Sequence, residues 1–557
     1  MTEAGRAPGS RSWGAFEPLR DRTFRTIWSA SLLSNFGQLI QGVGAAWEMT
    51  RLTSSADMVA LVQTALMLPL MMVAVPAGAI ADMFDRRHIA MIGLSFATLC
   101  AATLTALAAS GLTSPWLLLA FCSLIGAGVA LYGPAWQASV VEQVEPSHLP
   151  AAVALGSVSY NIARSFGPAV GGLIVVAAGA TVAFAVNAVF YLPLLIAFFF
   201  WRRKHIAHRL PPERIDRAVI SGVRYAFHSP PIRTVMIRAF VFGAAAASTS
   251  ALTPLVARNL LKGNASTYGL LLGATGVGAV IGALLVSETR ERLKAEHAVR
   301  LCAILGGSMV CVVGLSRNIA LTGAVMLICG AAYMLLIALL NVGVQLSAPR
   351  WVTARAISLF QSSLTGGIAF GAWMWGRVAV EWGVADALIT SGIVLILTPL
   401  IGLLLPMPRV SQSEVEMVEV ANEPEVALAI TARSGPIAIE IDYHVEPVDA
   451  RQFYDTLLKL ERVRLRNGGF DWSLSRDIAD LSLWTERFHC PTWGDYLRQR
   501  SRFTKSDREL QALADAFHTP GKGSRVRRRL ERPFGSVRWR AETPDPRRDD
   551  TISIYTP

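Results

Sequence analysis

Long apolar stretches separated by short polar segments dominate the first 406 residues of this 557-residue chain. Each stretch has about 20 residues, the length that a helix needs to cross the hydrocarbon core of a bilayer. Because lipid offers no partners to backbone N–H and C=O groups, we expect these stretches to be α-helices. The pattern predicts twelve spans, at residues 27–49, 57–81, 89–110, 115–141, 150–177, 180–201, 234–257, 267–288, 298–315, 320–346, 354–376 and 384–405.

The segments between the spans divide the chain into parts. The longest break, at residues 202–233, is rich in Arg, Lys and His and leaves six spans on each side. Two six-helix halves are typical of secondary transporters. The predicted parts are a cytoplasmic N-terminal segment (1–26), an N-terminal half (27–201), a connector (202–233), a C-terminal half (234–405), an acidic linker (406–432) and a C-terminal domain (433–557).

Beyond the linker the periodicity changes, and we expect a small soluble α+β domain. Residues 436–445, FDWSLSRDI and LWTERFHC alternate like strands, whereas residues 449–465 and about 493–517 have helical spacing. GSVRWRA is a candidate for the last strand. The resulting order βαββαβ resembles ferredoxin-like and dimeric α/β-barrel domains. The arginine-rich stretch at residues 525–532 is interpreted as a solvated tail rather than a contact with lipid or nucleic acid.

The charge distribution predicts the orientation in the membrane. The net charge is +12, and the excess lies in the first 406 residues, since acidic and basic residues balance beyond them. Most basic residues fall on one side of the predicted spans, which the positive-inside rule identifies as cytoplasmic. We therefore expect a multi-pass protein of the cytoplasmic (inner) cell membrane with both termini in the cytoplasm. The basic charge does not indicate a nucleic-acid partner.

The junction of the second and third spans carries the most specific motif. Its residues are Gly78, Asp82, Asp85, Arg86 and Arg87. This pattern, with the twelve spans and the basic connector, resembles the signature loop of the major facilitator superfamily. The Asp-Arg-Arg variant resembles its branch of transmembrane secretion effectors, which includes the enterobactin exporter and macrolide efflux proteins. Met83 departs from the family, which often has a basic residue there.

The resemblance implies that this loop acts as a gate. Asp82 would face the start of the eleventh helix near Arg350 or Arg355, and Arg86 would reach Glu142 at the end of the fourth. Our hypothesis is that these ion pairs close the cytoplasmic side when the cavity opens outward. The alternative is that the charges only fix the topology of the helices.

Polar residues inside the spans are candidates for a substrate cavity. Arg164 is predicted near mid-membrane, where a cation costs at least about 2.5–3.5 kcal/mol and therefore indicates a function. No acidic residue is predicted at that depth, so we expect an anionic or neutral amphiphilic substrate. The following amides are interpreted as cavity lining or, alternatively, as hydrogen bonds between helices: Asn35, Gln38, Gln41, Asn161 and Gln361.

The fifth span contains NIARSFGPAVGG, in which Gly167, Pro168, Gly171 and Gly172 permit a bend and close helix contact. The segment is similar to the Gly-Pro motif of superfamily exporters, which favours export over import. The sequence contains neither a phosphate-binding loop nor a convincing catalytic set or metal-ligand spacing. No cofactor, metal site or enzyme activity is therefore predicted.

These observations predict a secondary active transporter that exports siderophore-like or drug-like molecules by alternating access. A proton or other ion gradient would drive it, through peripheral carboxylates such as Glu48 or Asp57 if protons are used. Two alternatives remain open: an importer of the same fold, and a membrane-anchored enzyme or sensor that uses the C-terminal domain. That domain is otherwise expected to regulate the protein or to form a homodimer.

Overall fold

The computed structural model of the chain describes residues 14–145, 148–201, 223–349, 352–408, 424, 426–428, 430–519 and 525–531. The chain divides into two compact units. The helical unit consists of Met1–Ile215, Met236–Asn341 and Phe360–Pro406. The domain unit consists of Asp216–Val235, Val342–Leu359 and Met407–Pro557.

Helices account for most of the described residues before the linker. Nine of the helices in the described residues are long and apolar enough to cross a membrane. In chain order the helices are α1 (Arg22–Leu52), α2 (Ala56–Met83), α3 (Arg86–Ala109), α4 (Pro115–Ser139), α5 (Leu149–Phe200), α6 (Pro230–Leu255), α7 (Ala265–Leu284), α8 (Val286–Arg292), α9 (Ala295–Leu315), α10 (Ile319–Ser347), α11 (Thr353–Trp382), α12 (Val384–Leu397) and α13 (Ile401–Leu404).

Each predicted span coincides with part of these helices to within a few residues, but the fifth and sixth spans lie in one helix. The 52 residues of α5 contain a break at Gly179, where φ is 82° and ψ is 170°. Glycine adopts a positive φ without steric cost, so the chain can turn at this residue. The break lies between the two spans that the sequence predicts. α1 and α11 are not among the nine helices.

The helices are described in the two groups that the sequence predicts. In the N-terminal half, α1 to α5, α1 packs along α5, and α4 packs against α2 and α3. In the C-terminal half, α6 to α13, α9 packs against α12, and the contact between α5 and α7 joins the halves. We call the end of the bundle where α1 ends and α2 begins the distal end. The opposite end, where α1 begins, is the proximal end.

The C-terminal domain is a four-stranded antiparallel sheet with the strand order β2-β3-β1-β4. The isoleucines and Tyr443 on one face of β1 pack against Phe453, Leu457 and Leu460. These three residues recur at helical spacing on one side of α14, which is why the helix covers the sheet. The elements are β1 (Ile437–His444), α14 (Ala450–Arg466), β2 (Phe470–Arg476), β3 (Leu483–Cys490), α15 (Trp493–Ser501), α16 (Lys505–Ala516) and β4 (Arg525–Leu530).

The end of the domain differs from the prediction. The last strand is β4, whereas GSVRWRA begins at residue 535 and lies outside the described residues. The interpretation of the arginine-rich stretch as a solvated tail is therefore wrong for β4. Two of its four arginines have acidic partners on β1: Arg527 lies 2.7 Å from Asp442, and Arg529 lies 3.3 Å from Glu440. Charge pairing across the strands stabilises a strand that lacks an apolar pattern.

The predicted helix at residues 493–517 is in fact two helices, α15 and α16. Thr504 interrupts it, because its hydroxyl accepts a hydrogen bond from the N–H of Asp507 at 3.3 Å. The Asp507 carboxylate in turn accepts a bond from the N–H of Thr504 at 3.1 Å. This reciprocal capping box starts a new helix.

Candidate functional site

Arg164 lies on α5 and contacts the C-terminal half. Its guanidinium carbon is 5.8 Å from the centre of the Tyr333 ring on α10. Its Nη1 lies 4.0 Å from Sδ of Met334 on the same helix. Tyr333 stacks on Phe242 of α6, with the ring centres 5.5 Å apart. Because an aromatic face attracts a cation, this cation of one half is held by the Tyr333 ring of the other half.

The amides of α1 form hydrogen bonds within the N-terminal half. Nδ2 of Asn35 donates to Oγ of Ser159 on α5 at 3.2 Å. Gln41 is only 2% exposed, and its Oε1 accepts a bond from Nδ2 of Asn187 on the same α5. Both bonds hold α1 against α5, as in the alternative interpretation of these amides. They leave the two side chains fewer free polar atoms for a substrate.

Less is described of the other three residues that the sequence predicts to line the cavity. Gln38 is half-buried on α1 and Gln361 is exposed on α11. The side chain of Asn161 lies outside the part of the structure that is described. Arg164 is therefore the candidate with a defined contact between the halves, and a cavity role for these amides stays a prediction.

A contact between backbone atoms joins the halves near the break of α5 at Gly179, on the distal side. A Cβ atom on Gly172 would lie 2.6 Å from Cα of Gly269 on α7, and one on Gly269 would lie 3.2 Å from the carbonyl oxygen of Pro168. Gly167 and Gly171 face α1 instead, where an added Cβ would lie 3.1 Å from its nearest atom in each case. The glycines and the proline of the motif thus lie where α5 packs closely on two other helices.

A charged pair also joins the halves at the distal end. Nη1 of Arg377 on α11 lies 3.4 Å from Oδ2 of Asp57 on α2. Arg258, beyond α6, donates to the carbonyl oxygen of Thr50 on α1. The sequence analysis named Asp57 as a coupling carboxylate but missed its partner. The signal was that Asp57 begins the second predicted span and Arg377 directly follows the eleventh, on the same side of the membrane.

The arginines of the signature loop bond to helices of their own half. Nη1 of Arg86 lies 3.0 Å from Oε1 of Glu142, the pair that the sequence analysis expected. Arg87 donates to the carbonyl oxygens of Phe198 and Phe199 at 2.9 and 2.5 Å. These carbonyls end α5 and have no partner within the helix. The loop therefore ties α3 to the ends of α4 and α5 while the halves are in contact at the distal end.

The rest of the proposed gate is only partly described. Asp85 caps α3 by accepting a bond at 2.9 Å from the backbone N–H two residues on. Gly78 lies in α2, whereas the side chain of Asp82 and the whole of Arg350 lie outside the described residues. Arg355 belongs to the domain unit. The pairing of Asp82 with either arginine stays a prediction.

A buried charge cluster at the proximal end of the C-terminal half was missed by the sequence analysis. Arg238 on α6 is 6% exposed and binds both carboxylate oxygens of Glu296, at 2.6 and 3.3 Å. Arg300 shares this carboxylate at 2.9 Å, and Arg238 donates to the carbonyl oxygen of Leu405 at 3.2 Å. The signal was a basic residue inside the seventh predicted span and an acidic one just before the ninth.

Comparison with known sequences identifies a family and several relatives. Residues 13–534 match the family described as transmembrane secretion effector. The staphyloferrin A transporter of Staphylococcus aureus is 24% identical over 284 residues, which cover 50% of this chain and 71% of that protein. The multidrug efflux pump Tap of Mycolicibacterium fortuitum is 22% identical over 394 residues, which cover 69% of this chain and 95% of that protein.

Solved structures with the same fold are also transporters. A bacterial homologue of the human lysosomal transporter Spinster, in an inward-facing and unoccupied conformation, has a TM-score of 0.56 at 13% identity and covers 70% of this chain and 95% of that chain. The nucleoside transporter NupG has a TM-score of 0.55 at 11% identity and covers 69% of this chain and 99% of that chain. At such identities the likeness shows the fold alone.

Proposed function

The chain belongs to the transmembrane secretion effector family of major facilitator superfamily transporters, and on this premise we propose that it exports small anionic or neutral amphiphilic molecules. The resemblance stated from the signature loop is thereby confirmed. Transporters of this superfamily carry small molecules across a membrane. Export, the substrate class and coupling to an ion gradient are our proposals. The name of one relative, a multidrug efflux pump, supports efflux, and that of another, a staphyloferrin A transporter, supports transport without giving its direction.

We propose twelve membrane crossings in two halves of six. The break at Gly179 supports counting α5 as two crossings. The packing of α1 along α5 supports counting the less apolar α1 as a crossing too. With the basic side as cytoplasmic, both termini and the proximal end face the cytoplasm. The protein would lie in the inner membrane of the cell. The C-terminal sheet, of ferredoxin-like strand order, would then be a cytoplasmic domain able to form a homodimer.

The contact of Arg164 with α10 is the observation that carries the substrate proposal. An anionic group at Arg164 would bind beside residues of both halves, so that binding of the substrate changes the contact between them. Tyr333 and Met334 give the same place an apolar surface that suits an amphiphile. The halves would separate at the distal end as they close at the proximal end, which exposes the site to each side in turn. This is alternating access.

Asp57 is a candidate for the residue that couples transport to an ion gradient. Its pair with Arg377 forms between the halves, so protonation of the carboxylate would weaken a contact that exists in this conformation. A ligand shifts a conformational equilibrium only by its different affinity for the two states. A proton that releases this pair meets that condition, and a proton gradient is therefore the driving force that we propose.

Uptake into inverted membrane vesicles tests the proposal. The assay compares anionic, neutral and cationic amphiphiles with and without an imposed proton gradient. An exporter accumulates its substrate in these vesicles, whereas an importer of the same fold accumulates it in right-side-out vesicles. Arg164→Ala removes a charged hydrogen-bond donor, which is worth about 1.5–3 kcal/mol, so uptake of the anionic substrate should fall by about 10-fold to 150-fold.

Two further variants make the vesicle test specific. Arg164→Lys keeps the charge but loses the planar guanidinium, so it should retain part of the anion transport. Arg22→Ala removes an exposed arginine at the start of α1 in the same half, and it should transport at the wild-type rate. Unchanged anion transport in Arg164→Ala would refute the role of Arg164. No gradient-dependent accumulation of any probe would refute the proposed export.

A further inference from the structure

The end of the connector, which precedes α6, is buried in the domain unit. Residues 223–228 are helical. Tyr225 is 2% exposed and its neighbour Ala226 is 1% exposed, whereas Phe227 is 60% exposed. Residues two apart on a helix point in nearly opposite directions, so one face of this segment is covered and the other is free. A linker that is only solvated would not bury a tyrosine in this way.

The group that covers Tyr225 comes from the C-terminal domain. The guanidinium carbon of Arg466, at the end of α14, lies 5.3 Å from the centre of the tyrosine ring. Arg466 is held in place by an ion pair with Asp507, the buried carboxylate of the capping box that starts α16. Burial raises the pKa of Tyr225 to about 12, so the ring is a neutral phenol at physiological pH. A desolvated cation on an aromatic face is among the stronger contacts of this kind.

A second contact within the domain unit lies near α10. A Cβ atom on Gly343 would lie 3.1 Å from Cε of Met407 and 3.5 Å from Cγ2 of Val235. Gly343 is near the proximal end of α10, Met407 begins the linker to the domain, and Val235 lies in the first turns of α6. The proximal ends of α10 and α11 are assigned to the domain unit with the C-terminal domain. Three helices of the C-terminal half thus have ends in this unit.

We propose that the C-terminal domain is an intramolecular brake on transport, which acts by holding Tyr225 of the connector against Arg466. This inference rests on the proposed transport function. Tyr225 lies five residues before Pro230, where α6 begins, so movement of the proximal end of α6 must carry the domain with it or break the contact. The contact is formed in the conformation in which the halves are joined distally. Where the movement breaks the contact, the contact stabilises the starting conformation and slows its conversion to the other.

Hydrogen exchange on the full-length protein in lipid nanodiscs tests the contact, and transport in proteoliposomes tests the brake. In Tyr225→Ala and Arg466→Ala, amide exchange of residues 223–228 should accelerate by about tenfold, as expected for losing a desolvated cation–aromatic contact. Transport should become faster by about threefold to tenfold. Tyr225→Phe keeps the aromatic face and should resemble the wild type. Tyr454→Ala removes a 41% exposed tyrosine of α14 and should change neither measurement.

The two measurements separate the brake from the transport function. Unchanged exchange in both alanine variants would overturn the contact. Faster exchange with unchanged or slower transport would overturn the brake. Equal effects of Tyr225→Phe and Tyr225→Ala would also overturn the stacking account. Exchange responds to the variants even if the wild type transports none of the probes, so a failure of the proposed function remains recognisable as such.

Discussion

The two ends of the helical bundle use charged residues in different ways. At the distal end the pair of Asp57 and Arg377 joins a helix of one half to a helix of the other. At the proximal end Arg86 and Arg238 each bind a glutamate of their own half. Each half also directs an arginine to the carbonyls at the end of its last helices. The distal charges therefore connect the halves, and these proximal charges stabilise each half by itself.

This difference has a physical consequence for movement. Two bodies that rock against each other must keep their internal contacts and exchange those between them. Internal pairs should then contribute mainly to the free energy of unfolding, whereas pairs between the halves should contribute mainly to the balance of conformations. Variants at the two ends should separate these effects.

The largest effect is expected from Arg238→Ala. Breaking a buried ion pair leaves a poorly compensated charge and costs about 3–5 kcal/mol. Of Arg238 and Arg300, Glu296 would keep the more exposed Arg300. The thermal unfolding temperature of the detergent-solubilised protein should fall, while spin-label distances between the distal ends of α2 and α11 should not change.

An exposed pair provides the control for Arg238. Arg292 lies 2.7 Å from Glu288 on α8, and both side chains are exposed. Arg292→Ala should cost at most about 1 kcal/mol. Equal unfolding temperatures for the two alanine variants would contradict the stabilising role of the buried cluster. A change of the distal distances in Arg238→Ala would contradict the division between the two ends.

The next effect is expected from Gly172→Ala. The added methyl group would meet the backbone of Gly269 at 2.6 Å, and overpacking of this kind costs about 1–3 kcal/mol. The strain exists only while the halves touch, so the distal distances should shift toward the separated state. Gly133→Ala, on α4, meets no atom within 4 Å and is the matched control. Identical distance distributions in the two variants would refute the contact.

A smaller effect is expected from Arg377→Ala. Its pair with Asp57 is partly exposed, and such pairs contribute about 0–1 kcal/mol. The population of the separated state should rise by at most about fivefold, with little change in the unfolding temperature. If Arg377→Ala lowers the unfolding temperature as much as Arg238→Ala, the two ends do not differ as we infer.

The smallest effect lies outside the bundle, at Glu531 after β4. Burial acts to raise the pKa of this carboxyl, but hydrogen bonds and charges of His489 and Arg487 outweigh it and hold the pKa below the usual value. Because the folded-state pKa is depressed, the stabilisation is complete above the unfolded-state pKa. It is lost as the pH falls through the folded-state pKa.

Glu531→Gln checks this effect in the full-length protein. At pH 7 the free energy of unfolding of the variant should be lower by less than about 1 kcal/mol. The variant should therefore unfold at a slightly lower temperature. The difference from the wild type should shrink as the pH falls below about 4.5. A difference that is constant with pH would contradict the role of the charged carboxylate. The distal distances should be the same in both proteins at every pH.

Local patterns in the sequence predicted much of the fold. The strand LWTERFHC coincides with β3, Leu483–Cys490, and Gly179 lies between the fifth and sixth predicted spans. Periodicity and a glycine with positive φ are properties of neighbouring residues, so they can be read from one segment. The arginines of β4 were misinterpreted because their partners on β1 lie about 85 residues earlier.

The candidate site was less predictable for the same reason. The depth of Arg164 followed from its position in a span, but its contact with Tyr333 depends on how α5 and α10 pack. The pairs Arg238–Glu296 and Asp57–Arg377 likewise join helices that are distant in the chain. Hydrophobic length determines that a segment crosses the membrane, but it carries no information on which helix lies beside it.

The crossing of Gly172 and Gly269 has a consequence for the speed of rocking. Side chains that interlock across an interface must change rotamers when the two bodies part and meet again, and each change adds friction. Two glycines present only smooth main-chain surfaces to each other at this point. At this crossing the halves can part and meet again without a rearrangement of the two glycines, which have no side chains.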